Sequence, residues 1–338
     1  MRFLKLFILA LLSASLISAT AIAGGEAPAA TGAKGPPVPL LWKVTDRDNA
    51  VYLLGSFHIL RADDYPLSPD IDRAFADAGK VVFEVPPEEM ADASLAQRFM
   101  ARARFDDGRT LSQVLPADLR GKLDRVLARS RSSLAQLDAF KPWFVSIVLV
   151  HDVSQSVGLS PELALDLYLM RQAVEAGKPT AGLETTDLQL KVLDSEPLPE
   201  QIEALRELAD KPEEAPGMLD QLHTAWRDGD LAKLDKEVWL EMKQKTPQTY
   251  RRLNLERNEA WMPQIRRMLD GSRQGDTLVV VGSLHLLGAD GLVERLRAMG
   301  YKVERVCSVC AAGDGPVPVI GADRAFAPAK SAPDEAGK

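Results

Sequence analysis

The chain has 338 residues, 46% of them hydrophobic, and its 48 Asp and Glu outnumber 41 Lys and Arg to give a formal charge of −7. An acidic chain without a long Lys/Arg block lacks the phosphate-neutralising surface that nucleic-acid binding needs. After the first residues no run approaches the ~20 apolar residues of a membrane-spanning helix, and no second cysteine pair exists to complete a zinc site.

Met1 to Ala23 read as a secretory signal. Arg2 and Lys5 precede an apolar stretch from Leu6 to Ile17, and Ala21-Ile22-Ala23 supplies a small-residue cleavage site. The expected location is therefore periplasmic or secreted, with no stable span after cleavage; an uncleaved anchor is the alternative. Residues 24–39, rich in Ala, Gly and Pro, read as a flexible leader, and 311–338 as a disordered tail of similar composition. Residues 40–310 are long enough for one large domain or two modest ones, and their pattern reads as a single α/β domain.

Within it, Leu41-Trp42-Lys43-Val44 and Val51-Tyr52-Leu53-Leu54 flank a polar Asp46-Arg47-Asp48-Asn49 and predict a hairpin. The second strand runs into Gly55-Ser56-Phe57-His58. Glycine lets the chain turn sharply there, which exposes the imidazole at the rim of the sheet, where α/β proteins place their chemistry. Ser68 as N-cap and Pro69 at the first helical position open a helix that Gly79 closes. A strand over Val81–Val85 follows, stopped by Pro86-Pro87. It carries Glu84 among apolar neighbours, where a carboxylate costs free energy unless paired or bound; the plainer reading is that Glu84 faces solvent.

From about 90 to 275 the pattern is mostly helical, over Leu115–Leu127, Pro142–Val150, Pro161–Ala176, Pro199–Leu208 and Leu255–Leu269. One extended stretch, Pro179 to Leu183, delivers Glu184 at its end. Leu278-Val279-Val280-Val281 then leads to Gly282-Ser283-Leu284-His285, a second copy of the earlier phrase. Gly288, a helix with Leu292, Val293 and Leu296, and a strand over Tyr301–Val306 complete the pattern. The expected fold is α/β: a duplicated strand, Gly-x-x-His turn, helix and strand around a central mixed sheet, with a large helical insertion. Cys307 and Cys310 follow the last strand. A structural disulfide closing a small loop is the reading for an exported chain, and redox chemistry or half a metal site the reading for a cytosolic one.

His58 and His285 are two of only four histidines. Two histidines with a carboxylate such as Glu84 can hold a divalent cation and leave positions open for water, provided the two strands are neighbours. His151 and His223 lie in helical segments without partners at ligand spacing and read as structural or surface residues. Arg257, followed by Asn258, is either a solvated helix charge or a guanidinium aimed into the site to hold a carboxylate or oxyanion. Glu184 could support the ligands from behind, and Asp166 orients a helix or loop. Ser56 and Ser283 have nothing to activate them and should bond the turn backbone. No Gly-x-Ser-x-Gly elbow, His-Glu-x-x-His, phosphate loop or dinucleotide fingerprint is present.

Taken in order, Leu41-Trp42-Lys43-Val44, Gly55 to His58, Phe83-Glu84, Lys141-Pro142-Trp143, Gly182-Leu183-Glu184-Thr185, Arg257-Asn258 and Gly282 to His285 with Gly288 resemble the TraB/GumN family. That family is part of a wider group with the TIKI metalloproteases, ChaN-like haem-binding lipoproteins and erythromycin esterases. Serine after each motif glycine departs from the commoner Thr or Ala. The resemblance implies that both Gly-x-x-His motifs, introduced by Gly55 and Gly282, meet Glu84 and Arg257 in one pocket. His58, Glu84 and His285 would bind a divalent metal (manganese, cobalt or zinc) or activate water, Arg257 would stabilise negative charge, and Glu184 and Asn258 would complete the motifs. The expectation is an exported metal-dependent hydrolase, peptidase-like, acting on a peptide or small molecule. The alternatives are a non-catalytic haem, metal or peptide-binding protein, and a metal-independent, histidine-based hydrolase of the esterase type.

Overall fold

Six strands form one mixed sheet in the order β4-β3-β5-β2-β1-β6: β1 Leu41–Thr45, β2 Ala50–Ser56, β3 Lys80–Phe83, β4 Thr180–Gly182, β5 Thr277–Gly282 and β6 Lys302–Arg305. The computed structural model describes residues 35–270 and 275–310. The expected signal at 1–23, the leader as far as residue 34 and the tail at 311–338 lie outside the described residues.

β1 and β2 make the predicted hairpin, Leu41 opposite Leu54 and Thr45 opposite Ala50. Only β1 runs against the other strands. β2 and β5 are buried along their whole length, as strands of a parallel sheet covered on both faces must be, which is why both read as continuous apolar runs. β5 lies between β3 and β2 and pairs in parallel with each.

The helix Pro69–Asp77 starts where the sequence predicts: Ser68 caps it, accepting from the Asp70 amide, and Pro69 takes the first position. It carries the chain from β2 across β5 to β3. The helix Leu292–Ala298 carries it from β5 the other way, to β6. Connections that leave in opposite directions open a crevice at the carboxyl ends of the two strands they leave.

β3 ends at Phe83, two residues short of the expected Val85, so Glu84 lies just past the strand and not within it. The prolines at 86 and 87 offer no N–H to continue a ladder. The chain stays tied to its neighbour nonetheless, Leu183 donating to the Phe83 carbonyl and Glu184 to the Glu84 carbonyl, both at 2.9 Å.

Among the described residues the regular structure of the insertion is helical apart from β4, and its buried apolar side chains join those of the sheet in one continuous cluster. Trp143, fully buried on the helix Pro142–Ser156, meets Phe99 edge-on at 5.6 Å. Two π-helical turns, Asp235–Leu240 and Arg251–Leu255, precede the helix Glu256–Asp270. Such turns concentrate near functional sites, because the extra residue re-aims the side chains after it. Among the described residues no helix is long and apolar enough to cross a membrane. Cys307 and Cys310 are joined by a disulfide just after β6.

Glu196, buried ahead of the helix Leu198–Asp210, makes the insertion sensitive to pH. Burial first, and the charge of Glu200 second, push its carboxyl up to about 8, against an opposing pull from Arg252. The folded protein then keeps a proton that the unfolded chain releases near 4.5, so this contribution is full below that pH and lost as pH rises through about 8. At 1.36 kcal/mol per unit the loss by pH 7 is on the order of 3 kcal/mol. Glu196→Gln should therefore flatten the dependence of the urea midpoint on pH between about 5 and 8 and be the more stable protein at the upper end. An unchanged slope in the variant would remove Glu196 as its source.

Candidate active site

Four neighbouring parallel strands each end on a candidate residue. Glu184 follows β4, Glu84 follows β3, His285 follows β5 and His58 follows β2. Ser56 pairs with Gly282, so the two Gly-Ser-x-His phrases lie side by side, one residue out of step. The helix Glu256–Asp270 brings Arg257, Asn258 and Trp261 against them. His58, Glu84 and His285 are 2, 3 and 4% exposed. A Cβ on Gly282 would stand 3.0 Å from His58 Nε2 and 3.2 Å from Glu84 Oε1, so glycine is what lets both side chains close on the end of β5. The Gly282 amide donates to Glu84 Oε1 at 2.7 Å.

Arg257 points into the site, the second of its two sequence readings, and its five N–H groups are all engaged. Nε donates to Glu184 at 3.0 Å, Nη1 to the Leu253 carbonyl at 3.0 Å and to His285 Nε2 at 3.1 Å, and Nη2 to Glu84 Oε2 at 2.5 Å and Glu184 Oε1 at 2.6 Å. Five is all a guanidinium has. In this arrangement Arg257 organises two carboxylates and a histidine, and no donor is left over for an oxyanion. Burial opposes its charge, but Glu184 and Glu84 outweigh burial and hold it protonated. Trp261, one turn on from Arg257, donates to Glu184 Oε2 at 3.1 Å and lies 4.7 Å from the guanidinium and 4.4 Å from the His285 ring. Gln189 Nε2 adds a further bond to Glu84 Oε2 at 3.1 Å.

The two histidines differ in what holds them. His285 Nε2 faces an arginine N–H, which can only donate, so its proton sits on Nδ1 and is donated to Asn258 Oδ1 at 2.7 Å. The amide of Asn258 is oriented in turn, Nδ2 donating to the carbonyls of His285 and Asp290, both at 3.3 Å. Burial, then the charges of Arg257 and His58, hold His285 well below the ordinary histidine range, and it stays neutral. His58 Nδ1 instead lies 3.3 Å from Asp166 Oδ1, and its Nε2 has no partner among the described residues. Burial works against charge on His58, but the carboxylate of Asp166 and then that of Glu84 outweigh it, and its pKa is raised.

Other contacts grip the motifs from the insertion. Trp226 donates to the Gly55 carbonyl at 3.1 Å, and Trp239 lies over Gly288, where a Cβ would stand 2.1 Å from its ring. Nothing in the sequence marked either tryptophan or Gln189. Trp261 is also absent from the sequence reading, although its place four residues after Arg257, on the same helix face, is a signal that could have found it. Ser283 bonds the turn as expected, donating to the Ser56 carbonyl at 2.7 Å. His223 is structural, 1% exposed with Nε2 2.7 Å from Asp64, and His151 is half-buried on the helix Pro142–Ser156.

Whether His58, Glu84 and His285 suit a divalent cation depends on which of their atoms are free. Among the described residues no group of three or more His, Cys, Asp or Glu side chains is gathered as a cation site. His285 Nε2 is held by Arg257, Glu84 Oε2 by Arg257 and Gln189, and Glu84 Oε1 by the Gly282 amide. Only His58 Nε2 is uncommitted. As arranged the three do not fit a divalent cation, because a guanidinium already contacts two of them.

The family model described as "TraB/PrgY/gumN family" matches residues 40–305. No curated protein and no solved structure matches the chain.

Proposed function

The chain belongs to the TraB/PrgY/gumN family, and we propose that its site is hydrolytic, with His58 activating water against the carbonyl of an extracytoplasmic peptide or small molecule. One observation supports the reading above the others. His58 Nε2 is enclosed and unpartnered beside Glu84 Oε1 over Gly282, while a carboxylate holds Nδ1.

A water bound at Nε2 would give its proton to the ring as its oxygen bonds to the carbonyl carbon. The same ring then returns that proton to the departing nitrogen or oxygen as the old bond breaks. His285 cannot share this work, since its lone pair is turned to Arg257. Its place is to hold the guanidinium that aligns Glu84.

The second reading is a cation (manganese, cobalt or zinc) on His58, Glu84 and His285. It is favoured by the oxygen partners on both Nδ1 atoms, an arrangement common behind metal-ligating histidines. It requires Arg257 to withdraw from both His285 and Glu84.

The test is a panel of fluorogenic peptides and nitrophenyl esters offered to the purified protein with and without chelator, beside His58→Ala. Turnover that survives chelation and disappears in the variant is the expected result. Turnover lost to chelator and restored by one of those metals would replace the water-activation mechanism with the second reading. No turnover under any condition, with haem or peptide retained by the wild type and released by His58→Ala, would make the protein a binding protein.

A further inference from the structure

We propose that Asp166 is the positioning residue of this site: its carboxylate takes the Nδ1–H of His58 and so turns the Nε2 lone pair toward Glu84 and Gly282. Read from sequence, Asp166 orients a helix or loop. In the structure it is 4% exposed in the first turn of the helix Leu165–Glu175, and the side chain within hydrogen-bond distance of its Oδ1 is His58. Its Oδ2 is enclosed and without a partner among the described residues. A buried carboxylate is costly unless something compensates it, and His58 is what faces this one.

The approach is built into the backbone on both sides. Leu165 donates its amide to the Phe57 carbonyl at 3.3 Å, one residue from each partner. Leu60 and Ser160 exchange amide bonds at 3.1 and 2.8 Å, and the Tyr65 hydroxyl donates to the Leu163 carbonyl at 2.7 Å. The segment 57–65 is thus stitched to 160–166 at three points, and the Asp166–His58 distance follows from that stitching.

The matching histidine provides the contrast. His285 is oriented by a neutral amide and met by a cation, whereas His58 is oriented by an anion and met by no cation on Nε2. Two copies of one sequence phrase have become unequal, and Asp166 is the residue that separates them. An ionised carboxylate can only accept, so the neutral ring of His58 must carry its proton on Nδ1.

The purpose of this arrangement rests on the hydrolytic reading, but its test does not. In full-length protein labelled with nitrogen-15 histidine, four ring systems can be assigned by single substitutions and read for tautomer at about pH 9, well above the ordinary histidine range. Wild-type His58 should appear as the Nδ1–H form. In Asp166→Ala it should move toward the Nε2–H form, while His285 keeps its Nδ1–H signal and so reports that the site is intact. Asp166→Leu, close to it in shape and without any acceptor, gives the same readout if the alanine variant fails to fold. A His58 spectrum unchanged in the folded variant overturns the proposal. The expected spectrum with no hydrolysis in any assay would leave Asp166 as positioned here and remove the hydrolytic reading. Where turnover is found, Asp166→Leu should lower kcat and leave KM in place.

Discussion

Arg257→Met should lower the free energy of unfolding by about 3–5 kcal/mol, the range for removing one partner of a buried ion pair. The methionine fills much of the volume, so packing is a small part of the loss. The larger part comes from Glu84 and Glu184, which are 3 and 8% exposed and share the same guanidinium nitrogen. Without it two carboxylates face one another out of water, and at least one must take up a proton. Arg257→Met combined with Glu184→Gln should therefore recover part of the loss, and the double-mutant cycle isolates the coupling. Urea denaturation followed by circular dichroism measures both. A cost for Arg257→Met below about 1 kcal/mol, the range of an exposed pair, would mean that the three charges are not held as described.

His58→Asn should have the opposite profile, abolishing turnover while sparing the fold. The amide nitrogen of asparagine falls near the place of Nδ1 and can still donate to Asp166, but nothing replaces Nε2 as proton acceptor. General-base catalysis contributes about 10²–10⁴ in rate, and that is the loss expected in kcat on whichever panel substrate proves active. The folded state loses no bond made by Nε2, so stability should stay within about 1 kcal/mol of wild type, the net worth of a single hydrogen bond. Turnover within tenfold of wild type would remove His58 from the chemistry. A collapse of stability comparable to that of Arg257→Met would instead make it a structural histidine.

Much of this site could be read before any coordinates, for a physical reason. A strand buried on both faces shows itself as an apolar run, and in a parallel sheet the residue just after such a run lies at the edge where ligands are held. His58, His285, Glu84 and Glu184 all stand just after such runs, and the repeated phrase points to a meeting of the two histidines. An apolar Val85 predicts Glu84 within the strand, whereas Pro86 and Pro87 release the chain after Phe83. What stands behind each histidine leaves no such mark. Asp166 and Asn258 lie 108 and 27 residues from the rings they orient, and no local pattern records a pairing across that distance. Nor could spacing show that Arg257 would spend all five N–H groups inside the site. That count depends on β4, β3 and β5 lying side by side, which is decided by topology.

The position of β5 also governs when the site can exist. Its two neighbours, β2 and β3, are complete by residue 83, yet they do not pair with each other, and the strand that joins them begins at Thr277. A chain emerging from the ribosome therefore carries two open strand edges through most of its synthesis. Folding must wait for a late strand to insert into the middle of the sheet, a high-contact-order step of the kind that slows folding and leaves edges open to other chains. Loss of the C-terminal end beyond residue 276 would remove the centre of the sheet and split it in two.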